Sequence, residues 1–166
     1  MGDDTSQYIH CNGTQLRLTD FNLGPEQYNN AFCYVWSGGT KSQNQLLFTF
    51  LTPVTISTIT LHYYSARVRG LPRLRFYAVP DNFDIWNAIL VNYRFIEVSA
   101  VPPYEEPADR RSVSIDVNFN TKKVLMYKFR SDFQFALSEV EFFTCNSKDI
   151  FVVSVVTEKS TTCHYS

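Results

Sequence analysis

Few residues in this chain could carry out catalysis. Three histidines occur, His10, His62 and His164, and none belongs to a Gly-x-Ser-x-Gly or His-Glu-x-x-His motif. His62 lies in a β-rich run beside two tyrosines, where a packed or surface histidine is more typical than a general base. The adjacent carboxylates Glu105 and Glu106 lie in a proline-rich stretch, whereas an acid–base pair needs placement across a substrate. The sequence therefore predicts that the protein is not an enzyme.

The cysteines and one sequon indicate a cellular compartment. Cys11, Cys33, Cys145 and Cys163 form no Cys-x-x-Cys pair and have poor spacing for zinc. An even number of cysteines around a β-rich body favours two disulfides, which form outside the reducing cytosol, over four reduced thiols. Asn12 begins an N-glycosylation sequon beside the first cysteine. These features predict an extracellular glycoprotein, and they leave all three disulfide connectivities open.

One acidic cluster bears on cofactors. Asp81, Asn82 and Asp84 follow a proline and could offer oxygen ligands to calcium. Turn formation and solubility account for the same three residues. The sequence therefore predicts no cofactor, with calcium as the one candidate.

Composition narrows the class of protein. The chain has 166 residues, 45% of them hydrophobic and 16% aromatic, which is ample material for the core of one domain. A formal net charge of −1 argues against a general nucleic-acid or anionic-membrane binder. No apolar run reaches the length of a transmembrane helix.

Short runs rich in β-branched and aromatic residues predict strands. In the run 112–119, Val113, Ile115, Val117 and Phe119 alternate with polar residues, and in the run 54–64 the alternation slips once near Ser57, which suggests a bulge. Pro53 and Asn120-Thr121 predict turns between neighbouring runs, and no helix-length apolar stripe occurs. The pattern predicts an all-β, antiparallel β-sandwich or jelly roll of about eight strands, near residues 32–36, 46–51, 54–64, 74–79, 89–98, 112–119, 123–129 and 135–143.

Two stretches resemble discoidin-type domains, the galactose-binding-like jelly rolls of coagulation-factor C domains and many receptor ectodomains. The first is residues 47–64 followed by Leu71-Pro72-Arg73-Leu74-Arg75-Phe76-Tyr77. The second is 135–145, which reads like the last strand of that family, with its glutamate and a terminal cysteine. The resemblance covers roughly residues 30–145.

The resemblance carries expectations about domain limits and disulfides. It implies a discoidin-like β-sandwich over residues 11–145, after a disordered segment 1–10 and before an extension or linker 146–166. Residues 151–156 would then form an added edge strand or begin the linker. Pairing of Cys11 with Cys145 would tie the two ends together as the family does, whereas local pairing of Cys11 with Cys33 and of Cys145 with Cys163 is the alternative.

The predicted strand directions place a recognition surface at one end of the sandwich. Alternate loops of an antiparallel sandwich gather at the same end, and long loops on a rigid scaffold often bind ligands. We expect an adhesion or recognition module that binds a glycan, or an acidic protein, at this end. The alternatives are a structural domain of a larger receptor and a carbohydrate-targeting accessory domain of an enzyme. The expected ligand-binding residues are Lys41, Arg67, Arg69, Tyr104, Arg110 and Arg130.

Overall fold

The protein is described from a computed structural model that covers residues 11–12, 15–16, 19, 23–27, 34–36, 44–85, 89–103, 109–145, 152–157 and 163–164. Within these residues ten strands form, and every strand pairing is antiparallel. The prediction of an all-β antiparallel fold is therefore confirmed. The strands are β1 (Cys11–Asn12), β2 (Gln15–Leu16), β3 (Tyr34–Trp36), β4 (Asn44–Ser65), β5 (Leu74–Val79), β6 (Phe95–Val98), β7 (Asp109–Lys128), β8 (Phe135–Phe143), β9 (Val152–Thr157) and β10 (Cys163–His164).

Two long strands replace four of the predicted ones. The runs 46–51 and 54–64 are one strand, β4, and the runs 112–119 and 123–129 are one strand, β7. The prediction of turns at Pro53 and Asn120 was wrong, because the chain passes through register shifts at both places without leaving the sheet. Proline lacks an N–H donor and is tolerated in a strand at such a bulge. The bulge predicted near Ser57 is confirmed by the shift between Ile56 and Thr58.

One further strand is shorter than predicted. The run 89–98 contains a short 3-10 helix, Leu90–Asn92, and only Phe95–Val98 pairs as β6. In contrast, β5 and β8 have the predicted bounds. Ahead of β6, Leu90–Asn92 forms the 3-10 helix and Val91 is exposed, so the apolar run 89–91 does not join the sheet.

The bends in β4 and β7 fold one sheet into two layers. The first layer contains residues 44–51 and 123–128 with β5, β6, β9 and β10, and the second contains 54–65 and 109–121 with β3 and β8. Phe142 belongs to the second layer, where it pairs with Ile59, and its side chain points toward the first layer. Its ring centroid lies 5.1 Å from those of Phe48 and Phe50 in the first layer. Strands that change layers through bulges are typical of orthogonal sheet packing.

The core lies between the two layers. It contains Phe48, Phe76, Met126 and Phe142, all essentially inaccessible to solvent. The predicted inward face of Val113, Ile115, Val117 and Phe119 is confirmed, because all four belong to this core or pack against it.

A second apolar cluster covers part of the outer face of the first layer. There Tyr77 and Leu125 lie beneath Phe83 and Ile85 from the segment after β5. The ring of Phe83 also meets that of Tyr93, with centroids 5.9 Å apart. Residues 80–85 and 89–93 therefore cover the sheet on the side away from the main core.

The chain beyond residue 145 joins the same sheet. β9 pairs with β4, with Val155 opposite Phe48, and Val152 and Val155 belong to the core. Of the two expectations for this segment, the structure shows the added strand. Among the described residues no helix is long and apolar enough to cross a membrane.

Candidate recognition surface

Three segments meet at one end of the sandwich, and we call this surface the loop end (residues 65–71, 99–103 and 130–134). The N–H of Gly70 donates to the carbonyl of Gln134, and the N–H of Gln134 donates to the carbonyl of Val68. Leu71 and Val101 exchange two main-chain hydrogen bonds, 2.8 and 3.0 Å long. These three segments therefore form one connected surface.

Gly70 allows this close approach of the three segments. A Cβ at this position would lie 2.6 Å from the carbonyl oxygen of Val101 and 3.0 Å from the nitrogen of Pro103. Both neighbours are backbone atoms that cannot rotate away. Any larger residue would therefore push the 99–103 segment off the end of the sandwich.

The predicted arginines take different places around this surface. Arg67 is exposed at the tip of a tight turn that Ala66 and Arg69 close with two hydrogen bonds of 3.0 Å. Arg69 is half-buried beside it, and Arg130 is exposed in the third segment. Lys41 and Tyr104 lie outside the described residues.

Arg110 has a different role from the one expected. The guanidinium Nη1 of Arg110 donates to the carbonyls of Leu23 and Gly24, and the main-chain N–H of Arg110 donates to the carbonyl of Glu26 at 2.8 Å. The hydroxyl of Tyr64 donates to the carbonyl of Pro25 at 2.6 Å. Arg110 therefore tethers residues 23–26 to the second layer.

A group that the sequence reasoning missed lies beside the loop end, and we call it the arginine ladder (Arg73, Arg75, Phe95 and Phe129). The guanidinium carbon of Arg73 lies 3.8 Å from the ring centroid of Phe129. The guanidinium carbon of Arg75 lies 4.0 Å from the centroid of Phe95 and 4.9 Å from that of Phe129. These distances are those of cation–π contacts. The ladder is adjacent to the loop end in the sequence, because Phe129 directly precedes Arg130, the first residue of the third segment.

Strand geometry places the ladder on the outer face of the first layer. In β5, Leu74 and Phe76 point into the core, so the alternating Arg75 points outward. The register sets Arg75 opposite Glu97 of β6 and opposite Tyr127 of β7. The alternation of arginine with apolar residues from 73 to 76 is the sequence signal that could have revealed this group.

Arg75 and Arg73 differ in their hydrogen bonds. The Nε of Arg75 donates to Glu97 Oε2 at 2.7 Å, and this hydrogen bond raises the pKa of the guanidinium above its ordinary value. Arg73 and Arg130 donate no side-chain hydrogen bond to any residue in the described part of the chain. Their guanidinium groups, each with five N–H donors, can therefore bind an incoming anion.

A lysine is buried beneath the loop end. Lys128 is the last residue of β7, pairs with Asn44 and Leu74, and is inaccessible to solvent. Its Nζ lies 3.4 Å from the carbonyl oxygen of Phe129. Burial disfavours the charged form and lowers the pKa of Lys128 to about 8.

The outer face of the second layer carries a histidine–carboxylate pair. His62 Nε2 lies 2.7 Å from Glu141 Oε2, and both side chains are largely buried. Glu141 is partly exposed, whereas Glu139, two residues earlier in β8, is fully buried. A register shift opposite His62 causes this difference, because it adds Ser138 to β8 and breaks the alternation of that strand.

The proposed calcium residues are exposed near the opposite end. Asp81, Asn82 and Asp84 are all exposed, and the carbonyl of Asp81 accepts a hydrogen bond from Lys123 Nζ. In the described segments no group of three or more histidine, cysteine, aspartate or glutamate side chains is arranged to hold a metal ion. Calcium binding stays a prediction.

The cysteines and the sequon are partly described. Cys145 follows β8 and is an exposed free thiol in the structure. Cys11 and Asn12 form β1, Cys163 lies in β10, and Cys33 lies outside the described residues. The disulfides and the glycosylation of Asn12 therefore stay predictions.

Comparison with known proteins adds no relative. No protein-family model matches the chain, and no curated protein matches it. The described residues define an antiparallel all-β protein with one folded eight-stranded sheet and the two-stranded sheet β1–β2.

Proposed function

We propose that this protein is an extracellular, discoidin-like recognition module that binds an acidic glycan at the loop end. The support is the joining of three separate segments by main-chain hydrogen bonds, with Arg67 and Arg130 exposed on them. A site held by hydrogen-bonded backbone loses little conformational entropy when a ligand binds.

The chemistry of the surface favours an anionic ligand. Guanidinium forks bind carboxylate and sulfate groups through paired N–H donors. Arg130 retains this capacity among the described residues, and Arg67 stands at the tip of its turn. Lys41 and Tyr104 are proposed to complete the site, with the tyrosine stacking on a sugar ring.

A structural role in a larger receptor is the second candidate. Ile89 and Val91 are 70% and 85% exposed on the segment before β6. Apolar side chains with this exposure suit packing against a neighbouring domain. This role would leave the loop end without a ligand.

A glycan array tests the proposal. The wild-type protein is expected to bind acidic glycans, and a variant carrying Arg67→Ala with Arg130→Ala is expected to lose at least tenfold in affinity, because each guanidinium contributes charge-assisted hydrogen bonds. Lys122→Ala is the control, since Lys122 lies inside β7 at the register shift and outside the loop end. Equal binding by the wild type and the double variant would contradict the proposal, as would an array without any acidic glycan bound.

A further inference from the structure

The arginine ladder has features of a binding surface that the loop end does not explain. Arg73 and Arg75 stand two residues apart and both contact the ring of Phe129. Residues two apart on a strand are separated by about 7 Å. The ladder therefore presents two guanidinium groups in a row along the outer face of the first layer, and that of Arg75 is paired with Glu97.

We propose that the arginine ladder is a second binding surface, which takes a linear sulfated polysaccharide. This inference goes beyond the proposed function, because it concerns a sheet face and not the loops. Arg73 supplies the open donors, while Arg75 is fixed by Glu97 and adds charge beside them.

The aromatic rings hold the guanidinium groups in position. A cation stacked on an aromatic ring loses less rotamer freedom on binding than a free arginine does. Tyr127 supports Phe129 from behind, with ring centroids 4.9 Å apart and ring planes at 75°. The N–H edges of the stacked guanidinium planes are thus the groups that meet a ligand.

The same stacking argues against a nucleic acid. Proteins that bind single-stranded nucleic acids offer aromatic faces on which bases stack. In the ladder, arginines cover Phe129 and Phe95 at 3.8 and 4.0 Å. The guanidinium groups occupy ring faces on which bases would stack, although Phe95 is 41% exposed, and their N–H donors suit sulfate groups along a sugar chain.

Affinity for a heparin octasaccharide tests the ladder. The wild type is expected to bind, with affinity that falls as NaCl is raised. Arg73→Gln is expected to lose about tenfold in affinity, because its charge-assisted hydrogen bonds to sulfate are lost. Lys122→Gln, which removes the same charge inside β7 at the register shift and outside the ladder, is expected to bind like the wild type.

A second variant separates geometry from charge. Phe129→Leu keeps every charge but removes the ring beneath Arg73, and it is expected to weaken binding about threefold. Thermal denaturation of each variant checks that the fold is intact. Wild-type affinity in both Arg73→Gln and Phe129→Leu would overturn the ladder proposal.

Binding of other ligands identifies the class of ligand, and binding by a second variant identifies the surface. Desulfated heparin and hyaluronan are expected to bind at least tenfold more weakly, because they lack sulfate groups. Equal binding of a single-stranded oligonucleotide would overturn the choice of ligand. If Arg67→Ala with Arg130→Ala abolishes heparin binding while Arg73→Gln does not, the ladder proposal fails and the loop end stands.

Discussion

The outer faces of the two layers both carry polar groups, but these groups differ in their contacts. On the second layer the groups bind one another: His62 pairs with Glu141 at 2.7 Å, and the hydroxyls of Thr60 and Ser114 lie 2.9 Å apart. On the first layer the guanidinium of Arg73 lies over an aromatic ring and donates to no described residue. This difference supports the proposal that a binding site is marked by hydrogen-bond donors that are held in position and have no described partner, and not by polar residues alone.

The comparison of the two outer faces depends on two layers that pack against each other. Substitution of Phe142 is expected to have the largest effect on this packing. Its ring contacts Phe48 and Phe50 across the core and is fully buried. Phe142→Ala is expected to lower the free energy of unfolding by about 3–5 kcal/mol, because it leaves a cavity between the layers. Chemical denaturation measures this.

The matched control is Phe95→Ala, since Phe95 is 41% exposed on the outer face. We expect it to cost less than about 1 kcal/mol. Equal destabilisation by the two substitutions would show that Phe142 does not join the layers.

Lys128 is a buried cation, in contrast to the exposed guanidinium of Arg73. Its pKa is lowered from 10.5 to about 8 in the folded protein, so between these pH values the unfolded chain binds more protons than the folded one. Stability is therefore expected to rise with pH across this window, by up to about 3 kcal/mol.

Denaturation curves at several pH values measure this rise. Lys128→Met is expected to abolish it and to be more stable than the wild type at pH 7, because no charge is then buried. Lys122→Met serves as the control and should keep the wild-type pH dependence. A stability that is flat or falling from pH 8 to 10.5 would contradict the account.

Gly70 tests whether the loop end is a rigid scaffold. Gly70→Ala would bring a methyl group within 2.6 Å of the carbonyl oxygen of Val101. We expect a loss of about 1–3 kcal/mol in stability and weaker glycan binding, although Gly70 is buried. Gly24→Ala, in a different turn, is a control for backbone effects, since Gly24 has a positive φ of 69°. It should lower stability without affecting the loop end.

The pattern of apolar residues in the sequence predicts the strands better than it predicts the proposed binding surfaces. The alternation of apolar residues is a local property, so it located β5 and β8 and the inward face of Val113 to Phe119. The turns at Pro53 and Asn120 were predicted wrongly because their residues suit turns, while the long pairing of β4 with β7 keeps both inside the sheet. Tertiary pairing thus overrode local propensity.

The site depended on contacts between distant segments. Arg67 and Arg130 were found by counting strand directions, which needs only alternation. The ladder was missed because Phe129, Arg73 and Phe95 come together only through the pairing of β5 with β6 and β7. Arg110 looked equally suited to ligand binding, and nothing in the sequence shows that it binds the carbonyls of residues 23 and 24.

An NMR titration of the isotope-labelled protein with the heparin octasaccharide tests the central claim most directly, namely that the arginines of the ladder and of the loop end bind anionic glycans. The account predicts amide shifts in residues 66–75, 95–97 and 129–134, and unchanged amides in residues 58–64 and 112–116 of the second layer. Shifts confined to the second layer, or no shifts at saturating ligand, would contradict it.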